Sequence, residues 1–313
     1  CRRVCHACGA VRRREEIRRA AGRVNFKKKN NDVVLEEVWC ESGAGAGLPL
    51  LKYPLLEQTG IVEHCFTTRC GGVSKGIYES LNLSFTRGDE EAAVRENFKR
   101  LAGAMKTDIS KFVFTDQTHT TNIKRVTAED AGKGIVKERD YKDIDGLITD
   151  EPGLVISTFY ADCVPLYFVD TVHRAIGMSH SGWKGTVGRM GAATITAMKR
   201  EFGTEAEDLV CAIGPSICQD CYEVSEDVAD AFKEAFPGHT DEILLDKKNG
   251  KYQLDLWKAN EIVLTEAGVL KEKIAVTNIC TCCNPDLLFS HRASHGKRGN
   301  LGGFIYLKEK NGD

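Results

Sequence analysis

The chain has 313 residues, enough for one large domain or two small ones, and an apolar fraction of 42% that supports a real core. A formal net charge of −2 gives no global reason to expect nucleic acid or a membrane as partner, and no window approaches the roughly 20 apolar residues that span a bilayer. Thirteen cysteines, an odd count in a long chain whose start lacks the apolar stretch of a secretory signal, read as reduced thiols in a cytoplasmic protein.

Residues 1 to 48 differ in character from the rest. They carry Arg12, Arg13, Arg14, Arg18 and Arg19 and the run Lys27, Lys28, Lys29. CRRVCHACG sets Cys5, His6 and Cys8 at zinc-like spacing, but no second ligand pair lies nearby to close a tetrahedral site. A basic, partly disordered arm, or sequence from an over-extended start, is therefore expected over 1–48, with the folded domain over 49–313. GAGAG at Gly43 to Gly47 opens onto LPLLKYP, which is not a helix start, so it is no dinucleotide fingerprint.

IVEHCFTTR (Ile61 to Arg69) reads as a strand, and CGGVSKGIYESLNLSF as a glycine-punctuated loop ending in a short strand. Arg69 beside that loop is a candidate anion contact. DEEAAVRENFKRLAGAM puts Ala93, Val94, Phe98, Leu101 and Ala104 or Met105 on one face, with Asp89, Glu90 and Glu91 suited to the N-terminal dipole. That is an amphipathic packing helix. KFVFTDQTHTTNIKRVT reads as strand, polar turn, strand, with His119 in the turn after Asp116 and Gln117. YKDIDGLITD and GLVISTFYADC give strands, with Asp145-Gly146 as a turn.

In ADCVPLYFVDTVHRAIGMSHSGWKGT, Cys163 precedes one apolar run and His180 follows the next. If the runs are neighbouring strands, thiol and imidazole converge at one sheet edge as metal ligands or as a Cys-His nucleophile. A helix capped by Gly203 follows. Then come the strand DLVCAIG, a helix with Ser225 as N-cap, a helix over Leu254 to Ala267 ended by Gly268, and the strand IAVTNIC. A basic loop and strand end the fold. The irregular alternation predicts mixed sheets with helices outside, in one domain.

His119, Cys163 and His180 are far apart in sequence, each at a strand edge or in an adjacent loop. Three N and S ligands leave one tetrahedral position for water, the arrangement of catalytic zinc, which lowers the pKa of that water to about 7. Absent motifs narrow the field: no H-E-x-x-H, no deaminase H-x-E with P-C-x-x-C, no H-x-H pair for a multicopper site, no Walker A loop and no G-x-S-x-G. Cys218, Cys221, Cys280, Cys282 and Cys283 offer a second metal or redox site, although buried thiols are the expected reading. Arg292, next to His291 and Ser290, is a candidate oxyanion contact.

Taken together, TTRCGGVSKGIYESLNL, DQTH, DGLITD, ADCVPLYFVD, AIGMSHSGWKGT, IGPSICQDCYEV and FSHR resemble the YfiH/YlmD family, which also carries a laccase-domain or multicopper polyphenol oxidase label. The resemblance runs from about Leu51 to the C-terminus. It implies a single α+β domain of four-layer αββα type with mixed sheets. It further implies phosphorolysis of adenosine, inosine, guanosine and S-methyl-5′-thioadenosine, plus adenosine deamination. The implied metal is zinc, held by His119, Cys163 and His180, with copper as the alternative under the oxidase label. Catalytic roles fall on that triple and on Arg292, and substrate contacts on Arg69, Asn82 and Asp162, with Asp162 or Glu223 handling protons. Nucleoside and phosphate are the expected partners of a monomer. Two departures stand out: DQTH continues TTN rather than with glycine, and RGN places Asn300 where many members have arginine.

Overall fold

The computed structural model describes residues 24–42 and 47–309; the Cys5, His6, Cys8 motif lies outside them. The chain opens with strands β1 (Glu36–Glu41), β2 (Gly47–Lys52) and β3 (Val62–Thr67), the one-turn helix α1 (Pro54–Glu57) lying between the last two. Helix α2 (Glu91–Ala104) leads to β4 (Phe112–Phe114), β5 (Ile123–Arg125), β6 (Gly146–Thr149), β7 (Val155–Tyr160), β8 (Val164–Asp170) and β9 (Ala175–Ser181). Helices α3 (Trp183–Val187) and α4 (Met190–Phe202) precede β10 (Leu209–Ile213) and β11 (Glu223–Ser225). The chain then forms α5 (Glu226–Ala235), α6 (Thr240–Ile243), β12 (Leu244–Asp246), β13 (Lys251–Leu254), α7 (Leu256–Glu266), β14 (Ile274–Val276) and β15 (Leu301–Leu307).

Two six-stranded mixed sheets result, in the orders β1-β2-β3-β15-β7-β4 and β14-β10-β8-β9-β6-β5, with a small sheet β11-β13-β12. Period-two alternation sorts the side chains. On β8, Tyr167 and Val169 join Phe66, Ile156, Tyr160, Met178 and Ile305 in a core between the two large sheets. The intervening Leu166 and Phe168 pack outward against Ile195 and Met198 of α4 and Ile262 and Val263 of α7. On the far side Val155, Phe112 and Phe304 turn outward to meet Val94, Phe98 and Leu101 of α2. The layers thus run helix, sheet, sheet, helices: the expected αββα order. Strands covered on both faces explain why VPLYFVD is apolar nearly throughout.

Phe98 anchors the outer helix. Its ring lies 5.6 Å from Phe85, 6.3 Å from Phe112, 5.0 Å from Phe114 and 6.1 Å from Phe159. Deleting a fully buried phenylalanine of this kind costs about 3–5 kcal/mol.

Four sequence expectations are corrected. The segment from residue 24 to 42 is part of the fold: β1 pairs with β2 from Glu36↔Lys52 to Glu41↔Gly47, Leu35 is buried, and the Lys29 N–H donates to the Asn278 carbonyl at 2.9 Å. Its lysines masked the apolar contribution of Leu35. LNLSF is not a strand; the Asn82 carboxamide accepts from the Ser84 and Asn300 N–H groups at 3.1 and 2.9 Å and holds an irregular turn. Leu254 ends β13 rather than starting a helix, because Asp255 caps α7 by accepting from the Lys258 N–H at 2.9 Å. Asp145-Gly146 is not a turn but the entry to β6. Among the described residues no helix is long and apolar enough to cross a membrane.

Candidate metal centre and cleft

Strands β8 and β9 pair in antiparallel register, with Val164 opposite Ser181 and Pro165 opposite His180. Cys163, one residue before β8, is therefore delivered beside His180. The third group arrives from elsewhere: His119 lies in the connection from β4 of one sheet to β5 of the other. The ligand atoms of His119, Cys163 and His180 all lie within 4.8 Å of one another. His180 is buried, Cys163 half-buried and His119 exposed. His119 adopts φ +68°, a left-handed conformation uncommon for a residue with a Cβ. Gly182 leaves the room they need, since a Cβ there would stand 3.0 Å from His119 Cδ2 and 3.1 Å from Cys163 Sγ.

The carboxylate of Asp145, fully buried, holds both histidines. It accepts from the N–H groups of Thr118, His119 and Thr120 at 3.1, 3.1 and 2.8 Å, and from the Thr120 hydroxyl at 3.0 Å. These bonds fix the left-handed turn. Oδ1 also meets His180 Nδ1 at 2.8 Å, so Nε2 is the nitrogen left for the site. A carboxylate behind a ligating histidine sets its tautomer and raises its basicity.

The charges are mutually dependent. Burial opposes ionisation of Cys163, but the adjacent His180 charge and hydrogen bonds from both histidines bring its thiol down to about 6. Burial likewise opposes charge on His180, yet the Cys163 thiolate and Asp145 lift it to about 9. Asp145 is penalised by burial but brought to about 2 by the His180 bond and the backbone donors. A thiolate with two imidazoles is the donor set of a zinc ion with a position to spare, and the thiolate form is what a metal requires.

The other expected site residues are placed differently. Arg69 donates through Nε and Nη2 to the Glu79 carbonyl at 2.8 and 2.5 Å and through Nη1 to the Pro285 carbonyl at 2.9 Å, and it stacks 4.4 Å from the Phe289 ring. Asn82 is spent on the turn described above. Asp162 accepts from the Thr281 hydroxyl at 2.6 Å and from the Arg292 N–H at 2.7 Å. The Arg292 guanidinium donates to the carbonyls of Cys221 and Glu223 at 3.2 and 2.9 Å. Glu223 pairs with Lys247. These residues tie loops together around the site rather than lining it.

What does line the space beside the triple is a cleft of about 360 Å³. Phe85, Phe114, Phe159 and Tyr160 form an aromatic wall, and Arg87, Arg298 and Asn300 a polar, cationic margin. Arg298 is half-buried, its Nε buried without a partner; burial, then the like charge of Arg87, brings it down to about 10. Arg139 is also on the wall but is engaged by Asp116 at 2.8 Å. Sequence reasoning missed Asp145, because Asp-Gly spells a turn, Arg87, because it sits in a loop of mixed charge, and Arg298, because it is one of several cations in a basic loop. The RGN departure held the available signal: Arg298 stands two residues before Asn300, in the same cleft.

A family model described as multi-copper polyphenol oxidoreductase laccase matches residues 63–308. The chain is 39% identical over 248 residues to purine nucleoside phosphorylase YlmD of Bacillus subtilis, covering 78% of this chain and 88% of that protein. It is 34% identical over 265 residues to adenosine deaminase RL5 from an unknown prokaryotic organism, covering 83% of this chain and all of that one. Its fold superimposes on the crystal structure of YlmD from Geobacillus stearothermophilus with a TM-score of 0.80 at 32% identity, covering 88% of this chain and 99% of the other.

Proposed function

The chain belongs to the family described as multi-copper polyphenol oxidoreductase laccase, and from its likeness to a purine nucleoside phosphorylase and an adenosine deaminase we propose that it is a purine nucleoside phosphorylase that also deaminates adenosine. Adenosine, inosine, guanosine and S-methyl-5′-thioadenosine are its substrates. The observation that carries this reading is the cleft, whose lining brings together a His/Cys donor set, four aromatic side chains and the arginines Arg87 and Arg298.

The residues fit zinc: His119, Cys163 and His180 would hold it, with Asp145 orienting two of them. A bound zinc supplies Lewis acidity and activates water near neutral pH. The remaining chemistry belongs to the chain. Phe85, Phe114, Phe159 and Tyr160 give the cleft an apolar lining suited to a purine. Arg87 and Arg298 present N–H donors to phosphate, Arg298 with its uncommitted Nε. In phosphorolysis a phosphate oxygen bonds to C1′ as the C1′–N9 bond breaks, and the purine leaves with that electron pair and takes up a proton. Both arginines stabilise the anion while positive character builds on the ribose. Asp116, on the same wall, has its oxygens taken by Arg139 and the Asp143 N–H.

Copper-dependent phenol oxidation is the second reading, favoured by the family description and by the affinity of His and Cys ligands for copper. A trinuclear oxidase centre needs several histidines; of the two metal-capable groups among the described residues, one contains histidine, and it has two. The test is to give zinc- and copper-loaded protein adenosine with phosphate, then a phenolic dye under oxygen. Adenine, ribose 1-phosphate and inosine without oxygen uptake are expected. Dye oxidation with oxygen uptake and no base release would overturn the proposal.

A further inference from the structure

Strands β10 and β14 run parallel and adjacent, from Cys211↔Ile274 to Ile213↔Val276. Both chains leave the sheet at the same end and stay paired beyond it: the Thr277 N–H donates to the Ile213 carbonyl at 3.0 Å, and the Thr281 N–H to the Ser216 carbonyl at 3.1 Å. Each then makes a short turn with cysteines three positions apart, Cys218 and Cys221 on one, Cys280 and Cys283 on the other. Parallel pairing therefore sets two C-x-x-C turns face to face.

Their four sulfurs all lie within 4.8 Å of one another. Cys221 and Cys283 are 3.5 Å apart, sulfur to sulfur, and Cys280 Sγ accepts the Cys218 N–H at 3.3 Å. These are free cysteines, well beyond the roughly 2.05 Å of a disulfide bond. Tetrahedral zinc with bonds of about 2.3 Å sets its sulfurs about 3.8 Å apart. The sulfur cage matches one such ion, and two C-x-x-C pairs are the usual ligand spacing of a structural site. Cys218 and Cys280 are buried and the other two half-buried, so four protein ligands would close the site to substrate. The Lys29 ammonium, paired with Asp220 at 2.7 Å, lies beside Cys218 and offsets part of the negative charge that four thiolates bring.

We propose that Cys218, Cys221, Cys280 and Cys283 form a second, closed zinc site, separate from the His119, Cys163, His180 group, that fastens the ends of β10 and β14 together. Its position gives it work in the cleft's surroundings. The Cys221 carbonyl accepts from Arg292, the backbone of Arg292 donates to Asp162, and Thr281 bonds to the same carboxylate next to Cys163. The zinc holds the floor on which Asp162 and Arg292 rest.

Metal content of the full chain decides this. In a His119→Ala/Cys163→Ala variant the cleft donor set is dismantled and the four cysteines are untouched. That variant is expected to retain about one equivalent of zinc, released by a thiol-binding mercurial and detected with a metallochromic dye. Loaded with cobalt, it is expected to show sulfur-to-metal charge-transfer absorption. Adding Cys221→Ser and Cys283→Ser should abolish both signals. A metal-free His119→Ala/Cys163→Ala protein, iron in place of zinc, or a Cys221–Cys283 disulfide found by mass spectrometry would each overturn the proposal. This readout does not depend on nucleoside turnover, nor on whether the serine variant folds.

Discussion

Replacing Asp145 by asparagine tests the organisation of the cleft most directly. The side chain keeps its shape, but one oxygen becomes an amide that only donates. Oδ2 accepts from three donors, Thr118 N, Thr120 N and the Thr120 hydroxyl, so the amide oxygen will settle there. The NH₂ then faces His119 N–H and His180 Nδ1, where Oδ1 had accepted at 3.1 and 2.8 Å. The charge-assisted bond from the His119 N–H, worth about 1.5–3 kcal/mol, disappears and the one to His180 is exchanged for a neutral bond, so the loss is roughly 2–4 kcal/mol before relaxation. His180 must also change tautomer: Nδ1 becomes the acceptor, Nε2 carries the proton, and the nitrogen facing Cys163 no longer offers a lone pair. Zinc affinity is expected to fall about 10–100-fold, measured by competition with a chromogenic chelator, and the melting temperature to fall in the zinc-free protein. Wild-type affinity and an unchanged melting temperature in Asp145→Asn would refute the assigned role.

Arg298→Ala removes one of two cations on the cleft margin; the KM for phosphate in phosphorolysis should rise about 10–100-fold, the worth of one charge-assisted contact, while adenosine deamination changes little. Steady-state kinetics of both reactions check this split. Gly182→Ala brings a methyl group against His119 and Cys163 at 3.0–3.1 Å; activity and zinc affinity should fall together while far-ultraviolet circular dichroism stays unchanged. The pH dependence of stability has a separate source in His64. Burial, then the charges of Lys52 and Lys308, drives its imidazole down to about 3, and Nε2 accepts the Tyr53 N–H at 2.8 Å. Below about pH 6.5 the unfolded chain takes up a proton that the folded one refuses, so stability falls with pH down to about 3, by at most about 1.4 kcal/mol per unit, or about 2 kcal/mol by pH 5. Urea unfolding of His64→Gln between pH 7 and pH 5 should show a shallower fall than wild type; parallel slopes would sink the assignment.

The sequence was most legible where burial writes a period. VPLYFVD and RAIGMS became the paired strands β8 and β9, and Val94, Phe98 and Leu101 the buried face of α2. Residue type and strand-edge position only nominated the donor triple; the motif resemblance singled it out, and the fold brings its ligand atoms within 4.8 Å of one another. The cleft was not legible, because its cations sit in loops whose approach depends on long-range closure. Arg87 and Arg298 are about 210 residues apart yet line one space. Arg69 and Arg292, conspicuous in their motifs, proved to be committed to backbone carbonyls. The four-cysteine cage shows the same limit: each C-x-x-C is plain in the sequence, but only the parallel pairing of β10 with β14 brings the two face to face.

The donor triple also has a mechanical meaning. His119 is carried by the crossing from β4 to β5, and Cys163 by the crossing from β7 to β8. In each case the chain passes from one large sheet to the other. An ion gripping both is a rivet through the sandwich, closing a loop of roughly 40 residues in the way a cross-link does. Sliding one sheet over the other would have to break metal bonds before it could thin the shared core. An ion bound there would therefore slow opening of the whole sandwich, and its removal by a chelator would loosen the two sheets in one event.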